Sequence, residues 1–103
     1  MRSFDVVFSP RSERHLVSIY RQIMQTSGTA RADDAIAGLR DSCLSLRHFP
    51  ARGVPRPDIG PGVRMVSHRR WAAIYFTISS DTVTIAAVFS RGRDAAASFR
   101  IGM

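Results

Sequence analysis

Two long apolar runs, close together in the chain, constrain the fold more than any other feature of the sequence. Residues 71–78 (WAAIYFTI) and residues 82–89 (TVTIAAVF) are rich in β-branched and aromatic side chains, and only residues 79–81 separate them. They predict two strands joined by a tight turn. Both alternating sets of side chains are apolar, which is typical of central strands with one face under helices and the other partly covered. The rest of the chain must supply that cover.

A strand that leads directly into a helix is predicted near the N-terminus. Residues 4–8 (FDVVF) form a short apolar run that stops at Ser9 and Pro10. Ser9 is a favourable N-cap, and Pro10 fits the first helical position because its missing N–H has no partner there. Apolar residues then recur at helical spacing up to Gly28, a typical helix stop: Leu16, Val17, Tyr20, Ile23 and Met24.

A second helix is predicted directly after the first, with Thr29 as its cap and with Arg47 and His48 near its end. Asp33 and Asp34 lie in its first turns, where carboxylates suit the positive end of the helix dipole. Its apolar stripe consists of Ile36, Leu39, Cys43 and Leu46. The connection between the helices is so short that they must fold back as an antiparallel hairpin, which needs an apolar surface to cover.

Proline and glycine dominate the stretch that follows. Residues 49–62 (FPARGVPRPDIGPG) contain four Pro and three Gly, which preclude a regular element and predict a tethering loop. Residues 63–66 are a short strand candidate, whereas residues 90–103 fit an edge strand, a short helix or a flexible end. The predicted order is βααβββ within a single domain over residues 1–103. We expect an α+β fold in which the helical hairpin packs on one face of a mainly antiparallel sheet.

Positive charge is concentrated in the C-terminal half. All fifteen basic residues are Arg and the formal net charge is +7. Residues 47–103 carry nine Arg against three acids, whereas residues 1–46 carry six Arg against five acids. Codon bias in a GC-rich genome explains the choice of Arg over Lys but not this distribution. Because the Arg fork suits carboxylates and phosphates, we expect an acidic protein or a nucleic acid to bind the C-terminal half.

Several classes of site and location are disfavoured. Cys43 is the only cysteine and lies in an apolar stripe, so we expect a core residue and not a nucleophile. His15, His48 and His68 lack the spacing of a metal site, and we expect neither a metal nor a cofactor. No apolar run approaches the roughly 20 residues of a membrane span. Residues 1–4 (MRSF) show no signal-peptide core, so we expect a soluble cytoplasmic protein that does not bind membranes.

Three segments resemble toxins of the ParE/RelE superfamily, in particular its ParE branch. They are residues 60–64 (GPGVR), residues 74–76 (IYF) and residues 83–94 (VTIAAVFSRGRD). Members of that family carry a Gly-x-Arg motif at the start of the second strand, a hydrophobic strand with a Tyr, and a last strand that ends in a turn with Arg and Asp. The resemblance covers nearly the whole chain. It implies the toxin component of a type II toxin–antitoxin system, a class linked to plasmid stabilisation.

The resemblance also implies partners. A ParD-like antitoxin is expected to wrap and neutralise the toxin in a hetero-oligomer. ParE toxins poison DNA gyrase, whereas RelE-type relatives cut mRNA in the ribosomal A site, usually with a C-terminal Tyr or His at the scissile phosphate. Residues 90–100 contain neither, so we predict a binding inhibitor of gyrase without catalytic residues. A RelE-type mRNA endonuclease is the alternative, and a nucleic-acid-binding module is a third class suggested by charge alone.

Aromatic side chains on the first long strand are candidate partner contacts. By alternation, Trp71 and Tyr75 share one face of the strand, and the more apolar set of Ile74, Phe76 and Ile78 shares the other. If the helices cover the more apolar face, Trp71 and Tyr75 form an exposed patch on which the antitoxin docks. Core packing is the alternative for both side chains.

Arginines supply the remaining candidates. Arg64 matches the family's Gly-x-Arg motif, and we expect it either to contact a partner or to anchor a turn of the sheet. Arg91 and Arg93 flank a glycine at the end of the last strand, where loops often carry function. Asp94 is expected to pair with a neighbouring Arg. The two arginines at residues 69–70 lie in a predicted turn, where solvated charge is the default.

Overall fold

A computed structural model describes residues 3–90. Its helices and strands are β1 (Asp5–Phe8), α1 (Pro10–Ser27), α2 (Thr29–Leu44), β2 (Val54–Pro55), β3 (Arg64–His68), β4 (Ala72–Ser79) and β5 (Thr82–Ser90). The strands form one sheet in the order β1-β5-β4-β3-β2, in which β1 is parallel to β5 and the other neighbours are antiparallel. The predicted α+β fold with a mainly antiparallel sheet is confirmed.

The main core lies between the helical hairpin and one face of the sheet. It consists of Leu16, Ile19, Leu39, Cys43, Leu46, Ala72, Ile74, Phe76, Val83, Ile85 and Val88. The predicted stripe of the second helix is confirmed, because three of its four members are completely buried and Ile36 packs against them half-buried. Each buried aliphatic side chain of this kind stabilises the fold by about 1.5–3 kcal/mol. Among residues 3–90, no helix is both long and apolar enough to cross a membrane.

The first helix begins and ends as predicted. Ser9 Oγ accepts a hydrogen bond from the Ser12 N–H (3.0 Å), and Ser12 Oγ donates to the Ser9 carbonyl (2.8 Å). Pro10 is the first helical residue. Ser9 Oγ also donates to the carbonyl of Ala86 in β5 (3.1 Å), which ties the helix start to the sheet. Gly28 ends the helix at φ +90°, a conformation that glycine adopts without steric cost.

The bounds of the second helix differ from the prediction. Thr29 is its first residue and not its cap, because Gly28 occupies the N-cap position and no described side chain caps the helix. Gly28 serves both helices: its N–H donates to the Met24 carbonyl (3.0 Å) and its carbonyl accepts from the Ala32 N–H (3.1 Å). At its other end the α-helix gives way to the 3₁₀ turn Ser45–Arg47, so the basic residues expected near its end lie beyond it.

A β-bulge in β5 explains why both alternating sets of its side chains are apolar. Tyr75 pairs with Ala87 but Phe76 pairs with Ile85, so Ala86 is the extra residue. Before the bulge, the odd-numbered residues of β5 face the helices. After it, the odd-numbered residues face the opposite side of the sheet. One strand therefore contributes apolar side chains to two separate clusters.

The proline- and glycine-rich loop is more ordered than predicted. It contains the 3₁₀ helix Pro50–Arg52 and the edge strand β2, in which Pro55 is tolerated because no other strand within residues 3–90 pairs with that edge. The strand expected at residues 63–66 is β3, which begins one residue later and extends to His68.

This loop also covers the second face of the sheet. The buried side chains there are Val63, Tyr75, Ala87 and Phe89, with Ile59, Met65 and Ala73 packed against them half-buried. Residues from the loop and from three strands thus form a second, smaller apolar cluster. The sheet is covered on both faces, as the two apolar runs required.

Candidate functional site

The two aromatic candidates do not lie together. Tyr75 faces away from the helices, as predicted, but it is only 5% exposed, and its ring packs edge-on against Phe89 with 5.7 Å between centroids. Trp71 precedes β4 in a turn, so strand alternation does not apply to it. It packs half-buried against the helix-side core and contacts the His68 ring at 5.4 Å. The predicted exposed patch is therefore wrong, and a role of either side chain in partner binding stays a prediction.

Arg56 holds the loop over Tyr75. Its backbone N–H donates to the Val63 carbonyl (2.8 Å), and its guanidinium lies 5.8 Å from the centre of the Tyr75 ring. Nε and Nη2 donate to the two carboxylate oxygens of Asp58 at 3.0 and 2.9 Å. This pair raises the pKa of Arg56 and lowers the pKa of Asp58. The bidentate geometry fixes the guanidinium in place above the ring.

Arg64 anchors the loop at the edge of the sheet. Its Nη1 donates to the carbonyls of Ala51 (3.1 Å) and Gly53 (2.8 Å), which joins β3 to the 3₁₀ helix. Gly53 is buried at this contact, and a Cβ added there would lie 2.6 Å from Phe76 Cζ. This geometry matches the anchoring role that was one of the two expectations for Arg64. Contact with a partner stays a prediction.

An exposed surface flanks the 3₁₀ helix Pro50–Arg52, and no pattern in the sequence singled it out. Phe49 is 64% exposed at φ +53°, and Val54 is 58% exposed. Between them Arg52 donates through Nη1 to the His48 carbonyl (2.6 Å) and through Nη2 to Ser45 Oγ (2.9 Å). We call Phe49, Arg52 and Val54 the loop edge. An aromatic, an aliphatic and an arginine side chain near one another are typical of protein interfaces.

The turn between β3 and β4 has an unusual backbone. Arg69 and Arg70 have φ values of +47° and +65°, and the Trp71 N–H donates to the His68 carbonyl (3.1 Å) across them. Glycine and asparagine are the residues that usually occupy such positions in hairpins. For other L-residues the left-handed conformation costs roughly 1–2 kcal/mol each. We call Arg69 and Arg70 the hairpin tip; both are exposed. The sequence predicted a turn here, but only the structure shows that both residues have positive φ values.

His68 joins the turn to the helical hairpin. It is 6% exposed, and its Nδ1 is hydrogen-bonded to Ser42 Oγ of α2 at 2.5 Å. Gly38 of α2 faces the same ring, since a Cβ there would lie 3.6 Å from His68 Cε1. Burial lowers the pKa of His68, and the nearby Arg69 lowers it further. The neutral imidazole is the form that this position favours.

Three of the predicted site residues lie outside residues 3–90, the part of the chain that the structure describes. Arg91, Arg93 and Asp94 therefore stay predictions. Among the described candidates, the structure does not bring Arg64, Trp71 and Tyr75 together. Arg64 contacts the loop, Tyr75 is buried under it, and Trp71 packs on the opposite side of the sheet.

Comparison with known proteins connects this fold to toxins. The family model for the ParE toxin of the type II toxin–antitoxin system parDE matches residues 6–95. That match includes every candidate residue named from the sequence. The chain belongs to the ParE toxin family. It is a ParE-type toxin of a type II toxin–antitoxin system, as the three sequence segments implied.

Solved structures show the same fold. The chromosomal ParDE toxin–antitoxin system of P. aeruginosa contains a chain that superposes with a TM-score of 0.76 at 20% identity, covering 85% of this ParE-family chain and 96% of the other. The toxin–antitoxin complex RelBE2 of Mycobacterium tuberculosis contains one with a TM-score of 0.67 at 21% identity, covering 90% and 97%. A search of curated proteins found no match. At these identities the structural similarity establishes the fold alone.

Proposed function

We propose that this ParE-type toxin binds DNA gyrase and blocks its cycle, and that a ParD-like antitoxin neutralises it. The observation that carries the proposal is the match to the ParE family over residues 6–95. The basic character of residues 47–103 supports an acidic or phosphate-bearing partner surface. The toxin acts by occupying a site on its target and needs no chemical step of its own.

The positions of four of the five Tyr and His side chains within residues 3–90 support inhibition by binding, and His48 is the exposed exception. Tyr75 and His68 are buried, Tyr20 donates its hydroxyl to Asp33 Oδ1 (2.8 Å), and Nδ1 of His15 accepts a backbone N–H of β5 (3.2 Å). General acid–base catalysis needs a group within hydrogen-bond reach of the substrate proton. Groups engaged in this way are poorly placed to exchange a proton with an RNA substrate.

The loop edge is the surface that we assign to the antitoxin. Phe49 and Val54 offer exposed apolar area on either side of Arg52 in the chain. An antitoxin segment with apolar and acidic side chains would complement both features. Binding there would cover β2, the edge strand of the sheet that residues 3–90 form.

Supercoiling assays test the gyrase proposal. Purified toxin is expected to inhibit supercoiling of relaxed plasmid by gyrase, and an equimolar ParD-like antitoxin is expected to restore it. Full supercoiling activity in the presence of excess folded toxin would refute the proposal. For the antitoxin surface, Phe49→Asp is expected to weaken antitoxin binding, whereas Val17→Asp, at an α1 side chain that is 50% exposed, serves as the matched control.

A RelE-type mRNA endonuclease is the second candidate. His48 favours it as an exposed histidine whose carbonyl accepts a hydrogen bond from Arg52, and the fold shared with a chain of the RelBE2 complex is compatible with it. This function predicts cuts at defined codon positions in message on programmed ribosomes, and their loss in His48→Ala. Intact message after incubation with wild-type toxin would exclude it.

A further inference from the structure

The hairpin tip holds its two arginines in a conformation that their side chains disfavour. Arg69 and Arg70 are consecutive residues with positive φ, and both are exposed. The packing of buried His68 and half-buried Trp71 fixes the backbone on either side of them. Strained residues of this kind concentrate at binding sites, where the cost of strain is retained because the side chains are needed. The tip is therefore the first place to look for a ligand.

A recess lies beside the hairpin tip. It has a volume of about 420 Å³ and is lined by Ser67, Arg70, Ala72 and Ala73. The two alanines leave space because their side chains are short. The Ser67 hydroxyl is exposed, and its contact within the fold is a weak one to Met65 Sδ at 3.9 Å. The recess combines a guanidinium and a hydroxyl donor with room for a small anionic group.

The edge of β3 next to the hairpin tip offers a further donor, outside this recess. The Arg56 N–H donates to the Val63 carbonyl, so the backbone groups of Val63 point away from β4. In an antiparallel strand this direction repeats at every second residue, which gives Met65 and Ser67 the same orientation. β2 pairs with β3 at Met65 but not at Ser67. Among residues 3–90, the Ser67 N–H thus faces an edge that no strand covers, on the side away from the β4 residues that line the recess.

We propose that Ser67, Arg69 and Arg70 form a phosphate-binding site for the sugar–phosphate backbone of a nucleic acid. A phosphodiester accepts hydrogen bonds from several directions, which fits the guanidinium fork of Arg70 and the hydroxyl of Ser67 in one recess, with Arg69 next to Arg70 in the turn. The alanine walls lack the apolar pocket that would hold an anchoring side chain of a peptide. The site goes beyond the proposed toxin function, because it does not depend on which target the toxin inhibits.

The neighbouring recess on the other side of the tip is less suited to an anion. It has a volume of about 370 Å³, and its lining includes Asp41 together with Ser42, His68 and Arg69. The Asp41 carboxylate would repel a phosphate there. The phosphate therefore lies on the side of Ser67 and Arg70, and Arg69, which lines the other recess, adds its positive charge from the adjacent turn position.

Fluorescence anisotropy with labelled oligonucleotides tests the site. The full chain is titrated with single-stranded DNA, single-stranded RNA and duplex DNA over a range of salt concentrations. In the double variant R69N/R70G, the slope of log K against log salt is expected to fall by about 2, because two phosphate contacts are removed. Ser67→Ala is expected to weaken binding with little change in this slope. The nucleic acid that binds tightest identifies the source of the phosphate.

Two controls make the result decisive. The variant R14A/R31A removes the same charge from exposed positions on the helices and is expected to keep the slope within about 1 unit of wild type. R69N/R70G should melt at a higher temperature than wild type, because Asn-Gly suits the left-handed turn. Two results with R69N/R70G would overturn the proposal: unchanged binding of the oligonucleotides, or a melting temperature below that of wild type. An equal loss of binding in R14A/R31A would also overturn it, as would tighter binding of a polyglutamate peptide than of any oligonucleotide.

Discussion

At the scale of single residues, the lone thiol shows how burial controls chemistry. Cys43 is completely buried, and burial raises its pKa to about 12. The folded protein at mildly alkaline pH therefore holds a protonated thiol that no reagent reaches. Ellman's reagent is expected to react with Cys43 only at the rate of unfolding, and completely in denaturant. Rapid labelling of the folded chain would show that α2 opens locally.

Gly53 is required by close packing and not by its φ, which is −68°. An added Cβ would lie 2.6 Å from Cζ of the fully buried Phe76 and 3.2 Å from Arg64 Cβ. We expect Gly53→Ala to lower the free energy of unfolding by about 1–3 kcal/mol, the usual cost of overpacking. Chemical denaturation measures this change.

Gly38→Ala is the matched control for Gly53→Ala. Gly38 lies inside α2, and its added Cβ would make an ordinary contact of 3.6 Å with the His68 ring. Alanine is favoured over glycine within helices, so this variant is expected to gain about 0.5–1 kcal/mol. The two Gly→Ala substitutions should therefore have opposite signs. A similar loss in both would indicate that α2 and β3 pack more tightly than these contacts imply.

At the scale of elements, Arg64 joins the loop to the sheet. Arg64→Ala removes both hydrogen bonds from Nη1 and leaves the carbonyls of Ala51 and Gly53 without that donor. We expect a loss of about 1–3 kcal/mol in the free energy of unfolding, together with faster proteolysis within residues 49–62. Limited proteolysis followed by mass spectrometry measures the second effect. If Arg64→Ala instead reduces partner affinity with unchanged stability and proteolysis, its role is contact and not anchoring.

At the scale of the whole molecule, His68 connects the helical hairpin to the sheet through Ser42. Its pKa is lowered by burial and by Arg69, so the unfolded chain takes up this proton first as pH falls. The contribution of His68 to the free energy of unfolding is fully present above its unfolded pKa of about 6.5. It is lost as pH falls from there through the lower pKa of the folded state.

Denaturation midpoints measured from about pH 8 to about pH 5 test this linkage. The midpoint of the wild type is expected to fall over this range, and that of His68→Gln is expected to fall less. The pKa of Asp58 is lowered by Arg56, so its contribution is lost only at more acidic pH, below the unfolded value of about 3.9. If the midpoints of wild type and His68→Gln change in parallel with pH, a group other than His68 takes up the proton.

Local patterns were sufficient to predict most of the elements. The N-cap at Ser9, the stop at Gly28 and the stripe of α2 depend on neighbours within one or two helical turns, and all three are confirmed. The two apolar runs became β4 and β5 for the same reason. The three segments that resemble ParE toxins also predicted the toxin class, because the order and spacing of motifs can be read from the sequence.

Tertiary structure decided what the candidate residues do. The bulge at Ala86 depends on the register between β4 and β5. Trp71 does not share a strand face with Tyr75, because β4 begins one residue after Trp71. The loop that buries Tyr75 is held by contacts between residues far apart in the chain, such as that of Arg64 with Ala51.

The sequence by itself determined the α+β class, the helical hairpin and the ParE family, because capping and periodicity are local and the order of motifs is read directly along the chain. Only the folded chain decided that Arg64 anchors a loop and that the hairpin tip is strained. Both follow from backbone conformation and from strand register, which arise from packing between distant segments. Arg69 and Arg70 looked like ordinary solvated charges in the sequence. Their positive φ values made them the candidates for binding phosphate.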